Sequence, residues 1–188
     1  PATPKLSVCA KQAATGIWNE ATVGGHWPAE FRNTGWDGLI VTGKASSPVY
    51  FVITEDAVEI RDAERLWGLD TEKTDHVLRA EHGEGWRFGM IGPSGEKLAA
   101  IAGIIFDPPN NRIAARGGIG AVMGSKNLKA IAVRGKKRPQ IARKDLMAQL
   151  LKEQGPALKA NTQGLFNFGT SGGVEAVEMF GDLPIKNW

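Results

Sequence analysis

The passage Arg116-Gly117-Gly118-Ile119-Gly120-Ala121-Val122-Met123-Gly124-Ser125-Lys126 constrains this chain more than any other. Four of the eight residues from 117 to 124 are glycine. A backbone stripped of side chains in this way serves one of two ends. Its N–H groups can close on an anion, helped by a helix N-terminus, or a helix can pack tightly on a sheet. Glycine spacing does not favour a standard nucleotide loop. A Walker loop needs Gly-Lys-Ser/Thr, whereas Gly124 is followed by Ser125-Lys126, and the dinucleotide fingerprint has one residue fewer than separates Gly120 from Gly124. Both ends therefore remain open. The wider composition points the same way, with 24 glycines in 188 residues, near twice the ~7% average.

Other counts exclude function classes. A net charge of +3 is too small for the clustered stripe of a nucleic-acid binder. The one basic cluster, Arg134-Gly135-Lys136-Lys137-Arg138 with Arg143 and Lys144, reads as a solvated linker before it reads as an RNA or phosphate contact. A single cysteine, Cys9, rules out a disulfide scaffold and an iron–sulfur or thiolate zinc site built by this chain alone. No apolar run approaches the ~20 residues of a bilayer span. The start lacks a signal-peptide pattern, so the cytoplasm is the expected compartment, and Pro1 in place of Met suggests a fragment or processed product.

Hydrophobic periodicity predicts a strand over 5–11 and irregular chain over 12–36 with a short helix at 27–34. Strands are expected at Leu39–Val41, Val49–Ile53 and Val58–Ile60. A helix over 70–82 is capped by Asp70 or Thr71 and stopped by Gly83, with Val77 and Leu78 inward and His76 and His82 solvated. Strands follow at Arg87–Ile91 and Leu98–Phe106, then a loop opening into a short helix over 117–128, and a strand at Lys129–Val133. Two helices end the chain: one over 143–154, stopping before Gly155-Pro156, and one over 171–180. Strands in runs, not alternating with helices, make the class α+β. Residues 1–140 form the core and 141–188 a helical extension.

Arg112 and Arg116, four residues apart, can clamp phosphate oxygens. Thr22-Val23-Gly24-Gly25-His26-Trp27 is a second place where backbone can approach a ligand, or else a turn before a helix near Pro28. His26 beside Trp27 reads as a structural residue before it reads as a catalytic candidate, and the histidines show no zinc pattern. Glu30, Asp37, Glu96 and Asp107 lie near turns, where capping is the default use of a carboxylate. No residue is nominated as catalytic.

These segments together resemble the N-terminal domain of the tungsten-containing aldehyde ferredoxin oxidoreductases. The likeness is carried by Gly24-Gly25 through Gly35-Trp36-Asp37-Gly38-Leu39-Ile40-Val41, by Gly43-Lys44 with Pro48-Val49-Tyr50, and by Val58–Ala63 with Leu66-Trp67-Gly68. It continues in Ile91-Gly92-Pro93-Ser94-Gly95-Glu96 and, most specifically, in Ala115 through Gly135. Gly169-Thr170 and the closing Leu183-Pro184-Ile185-Lys186-Asn187-Trp188 also fit.

The resemblance implies antiparallel and mixed sheets that form a base under a tungsten bis-molybdopterin cofactor, with molybdenum as the other metal choice. It implies cofactor contacts at Lys5, Thr22, Val23, Gly24, Gly25, Arg112, Ile113, Ala114, Arg116 and Gly117, and a bridging Mg²⁺ on the backbone carbonyls of Thr22 and Ile113. Lys5, Thr22, Ile113 and Ala115 stand where the family usually has Arg, Asn, Ala and Gly. The parent reaction implied is aldehyde oxidation to a carboxylic acid, with electrons leaving through an iron–sulfur cluster to ferredoxin. That cluster and the acid/base residues belong to later domains or subunits of the enzyme, the expected partners, so this chain alone is expected to be inactive. The alternative is a non-catalytic module binding a phosphate ligand or nucleic acid through Arg112, Arg116 and the 134–144 cluster.

Overall fold

The computed structural model describes residues 5–184; the family-like residues Ile185–Trp188 lie outside them. The chain divides into two compact units, Pro1–Pro139 and Gln140–Trp188. The class is α+β.

In the first unit, β1 (Leu6–Lys11) and β2 (Trp18–Val23) pair antiparallel, with Leu6 opposite Val23 and Lys11 opposite Trp18. Six further strands form a mixed sheet: β3 (Val49–Ile53), β4 (Val58–Asp62), β5 (Arg87–Met90), β6 (Ile104–Phe106), β7 (Arg112–Ala114) and β8 (Leu128–Val133). Their order is β4-β3-β8-β5-β6-β7, with β3–β8 the parallel pair and the other ladders antiparallel. Four helices belong to this unit: α1 (Trp27–Asn33), α2 (Thr71–His82), α3 (Pro93–Glu96) and α4 (Ile119–Ser125).

The central strands are apolar on both faces because both faces are covered. Along β3, Val49, Phe51 and Ile53 face one cluster, and Tyr50 and Val52 face another. The first cluster joins the sheet to Trp27 and Phe31 of α1, to Ile119 and Met123 of α4, and to Ala21 and Val23 of β2. Trp27 stacks on Phe31 at 5.3 Å, meets Phe106 edge-on at 5.2 Å, and donates its indole N–H to the Ile131 carbonyl. The second cluster packs Leu78 of α2 with Ala63 and Leu66 against Phe88, Met90 and Ala132. Asp70 caps α2 by accepting from the Lys73 N–H at 2.8 Å, and Gly83 ends it.

One charged pair is sealed inside. Lys129 on β8 is 0% exposed and donates to Glu96 and to the Leu69 carbonyl. The second oxygen of Glu96 accepts from the Gly68 N–H, so the pair ties α3, β8 and the 66–69 turn together. Burial pulls the Lys129 ammonium below its ordinary pKa, and the Glu96 carboxylate acts against that shift.

The second unit holds α5 (Lys144–Asn161), α6 (Gln163–Phe168), a 3-10 turn over Gly169–Gly173 and α7 (Val174–Met179). None of these four segments contains a buried residue.

Several expectations are corrected. The irregular stretch predicted over 12–36 contains β2, whose inward residues Asn19 and Ala21 carry too weak an apolar signal to mark a strand. Leu39 and Val41 pack inward and Ile40 is 91% exposed, an alternation typical of a strand, yet the segment has no ladder partner. Only Ile104–Phe106 of the strand predicted over Leu98–Phe106 pairs; the rest is turn and irregular chain that follows α3, with Leu98 at φ +59°. Helix α5 runs through Gly155-Pro156 to Asn161, at a surface position where the carbonyl that loses its partner is open to solvent. The helix predicted over 171–180 is a 3-10 turn followed by α7, and α6 was not foreseen. His82 is half-buried, not solvated. It lies 4.6 Å from the Trp86 ring and 3.2 Å from the Tyr50 hydroxyl.

Candidate cofactor-binding site

The glycine run does not form an anion loop around its helix. A Cβ at Gly118 would land on the Ala100 carbonyl, at Gly120 on the Gly103 carbonyl, and at Gly124 on the Gly95 carbonyl. These glycines let α4 lie backbone to backbone on α3 and the 100–103 turn. Lys126, which follows them, donates to the Gly43 carbonyl at 3.0 Å. Of the two readings open at Gly118, Gly120 and Gly124, tight packing is the one realised.

The other nominated residues are brought to one rim. Strand β2 is bonded only to β1 and β7 only to β6, and β2 and β7 lie beside each other. The Asn19 side chain on β2 donates to the Arg116 carbonyl at 3.1 Å, and it fills the space a Cβ at Gly117 would take. Thr22 and Val23 end the β1–β2 ladder opposite Ser7 and Leu6, so Lys5 precedes the rung from which Gly24 departs. Gly25 comes back against β7: a Cβ there would lie 2.8 Å from Arg112 Cγ.

Side chains at this rim sort into two groups. Val23 and Ala114 are 3% and 0% exposed and belong to the core, so only their backbones reach the rim. Lys5, Thr22, Arg112, Ile113 and Arg116 are exposed. Among the described residues, Lys5, Arg112 and Arg116 form no salt bridge. Three unpaired cations beside exposed strand ends make a donor set suited to phosphate oxygens. Thr22 and Ile113 lie on adjacent strands.

Two side chains at the site were not nominated. Asn19 joins the hairpin to Arg116, and its polarity inside an otherwise half-apolar strand was its only signal. Asp107, by its local sequence a capping or turn carboxylate, does cap, but across the fold. Its Oδ2 accepts from the N–H groups of His26 and Trp27, which start α1. Those two donors of the second glycine segment are thereby occupied within the fold. His26 is exposed and contributes its backbone. Glu30 accepts from the Gly135 N–H at 2.9 Å and Asp37 pairs with Arg32 at 3.0 Å, both structural uses, while Glu96 is the buried partner of Lys129.

Among the described residues, no group of three or more His, Cys, Asp or Glu side chains could hold a metal ion. No helix among them is long and apolar enough to cross a membrane.

Comparison with known proteins adds the following. The family described as "Aldehyde ferredoxin oxidoreductase, N-terminal domain" matches residues 1–135. The tungsten-containing aldehyde ferredoxin oxidoreductase of Pyrococcus furiosus is 40% identical over 192 aligned residues, covering 100% of this chain and 31% of that protein. The aliphatic sulfonate oxidoreductase WOR-like subunit of the same organism is 36% identical over 85% of this chain and 27% of its own length. Among solved structures, the active-site complex BamBC of benzoyl coenzyme A reductase with 1,5-dienoyl-CoA superposes with a TM-score of 0.79. It has 33% identity and covers 86% of this chain and 25% of that chain. The chain thus spans about a third of the length of the curated relatives it matches.

Proposed function

Because the chain belongs to the aldehyde ferredoxin oxidoreductase family as its N-terminal domain, we propose that it is the cofactor-bearing base of a larger oxidoreductase. The cofactor is a tungsten bis-molybdopterin, with molybdenum as the alternative metal. The observations that support the reading are Arg112 packed against Gly25, Lys5 one position before the Leu6–Val23 rung, and Arg116 beside Asn19 on β2, the three cations forming no salt bridge among the described residues. Their chemistry fits the phosphate arms of a pterin cofactor. Arg112 and Arg116 hold phosphate oxygens by paired N–H groups, and Lys5 adds a mobile point charge. Gly24 and Gly25 let the backbone come close without a side chain between. The carbonyls of Thr22 and Ile113 are the oxygen donors offered to a bridging Mg²⁺, a hard cation that takes oxygen ligands. The buried Val23 and Ala114 anchor both strands in the core, so the rim is held by rigid elements.

When bound, the cofactor supplies the two-electron oxidation of an aldehyde to a carboxylic acid. The cluster that takes those electrons toward ferredoxin needs several thiolates, and this chain has one cysteine. The other domains or subunits of the enzyme provide it, in the cytoplasm, and this chain alone is inactive.

Purified with the rest of its protein, the chain is expected to carry tungsten or molybdenum by elemental analysis and pterin by fluorescence. A preparation with neither overturns the proposal. Steeply salt-dependent binding of oligonucleotides by the isolated chain would favour a nucleic-acid module instead.

A further inference from the structure

We infer that Asp107 is the positioning residue of this rim: its carboxylate sets the distance between the Gly24–Trp27 turn and Arg112. The inference rests on the phosphate-site reading for its consequence, and on geometry for its substance. Asp107 is 2% exposed. Its main chain is fastened to the sheet side, donating to the Phe88 carbonyl at 3.3 Å and accepting from Asn110 and Asn111 at 2.9 and 3.2 Å. From there Oδ2 reaches the other segment and accepts from His26 N at 2.5 Å and Trp27 N at 3.1 Å. Gly25, at φ +104°, is pressed between the two. A Cβ there would strike Oδ2 on one side and the Arg112 stem on the other.

The carboxylate works with one oxygen. Oδ1 is buried and has no hydrogen-bond partner. The acceptor and the charge are therefore separable. The acceptor holds the turn, while the negative charge stands behind a site for anions and opposes them. Asp107→Asn keeps an acceptor and drops the charge; Asp107→Ala drops both. Asp107→Glu keeps the charge and displaces the acceptor by one methylene.

The test uses the full 188-residue chain, with inorganic pyrophosphate as the probe at low, fixed ionic strength. Pyrophosphate affinity is read by calorimetry and the rim by NMR. Asp107→Asn is expected to keep the His26 and Trp27 amides protected from exchange, and to bind pyrophosphate as tightly as the wild type or more tightly. Asp107→Ala is expected to release both amides and weaken binding roughly tenfold, the scale of one hydrogen bond to a charged acceptor. Asp107→Glu gives the same loss and serves if the alanine variant does not fold. Equal weakening in Asn and Ala, or unchanged exchange and affinity in Ala and Glu, overturns the inference. A wild-type chain that ignores pyrophosphate counts against the phosphate reading. The positioning role is then decided by exchange at His26 and Trp27 and by the Arg112 side-chain N–H resonance, which moves in Ala or Glu and not in Asn.

Discussion

Glycine does opposite work in the two units of this protein. In the first, Gly120 and Gly124 of α4 have neighbouring backbone where a Cβ would sit. In the second, Gly155 of α5 and Gly164 of α6 have nothing within 4 Å of that position. The same contrast runs through the apolar residues. Leu78, Phe88 and Met90 are 0% exposed, whereas Leu158 and Phe166 are 57% and 84% exposed. Tertiary packing specifies the first unit residue by residue. The helices of the second are supported by local propensity and the i,i+4 contacts of their own turns, such as the pair Gln149–Glu153.

The largest expected effect lies at the sealed ion pair. Glu96→Gln leaves Lys129 charged and uncompensated in the core, and should lower unfolding free energy by about 3–5 kcal/mol. Urea denaturation followed by tryptophan fluorescence measures it; a loss under about 1 kcal/mol would show the pair to be hydrated and the first unit less tightly sealed than described. Next comes Leu78→Ala, expected to cost about 2–5 kcal/mol, against a change within about 0.5 kcal/mol for Leu158→Ala. Equal costs would erase the contrast.

A sharper version uses one substitution in both units. Gly124→Ala should destabilise by about 1–3 kcal/mol through overpacking against Gly95, while Gly155→Ala should stabilise α5 by about 0.5–1 kcal/mol. Opposite signs, read by fluorescence for the first and helical ellipticity for the second, are the outcome to look for.

The smallest effect is one of pH. His82 is held below its ordinary pKa of 6.5 by burial beside Tyr50, Trp86 and Phe88; the Glu81 and Glu59 carboxylates act against the shift and Arg61 and Arg65 add to it. The unfolded chain takes up the proton first as pH falls. The contribution is therefore complete above about pH 6.5 and is lost as pH drops through the folded value. Denaturation midpoints compared at pH 7.5 and 5.5 should fall less for His82→Gln than for the wild type. The second unit, which has no histidine, should keep its helical ellipticity across that range.

Much of this was legible beforehand. β3, β8 and α2 announce themselves through apolar period and, for α2, through Asp70 and Gly83 at its ends, because local chemistry and burial agree there. The ordered match of Gly24 through Gly135 to one family identified the domain. What remained illegible was of another kind. The Gly118–Gly124 run is compatible with a ligand or with a neighbouring helix, since a missing side chain does not say what approaches it. Strand β2 escaped notice because Asn19 and Ala21 face inward for reasons supplied by Arg116 and the core. Asp107 reads locally as a turn residue, and its partners lie some eighty residues away.

The residue order by itself therefore determined the class, the family, the ends of α2 and the absence of a self-contained iron–sulfur site, since periodicity, capping chemistry and thiol count are properties of short stretches or of composition. Only the tertiary structure decided which glycines pack and which border the rim, and that Lys5, Thr22 and Arg112 share it. It also decided that Asp107 accepts from the His26 and Trp27 amides. Those are relations between segments far apart along the chain, and a backbone contact or a shared hydrogen bond between them leaves no periodic mark on either.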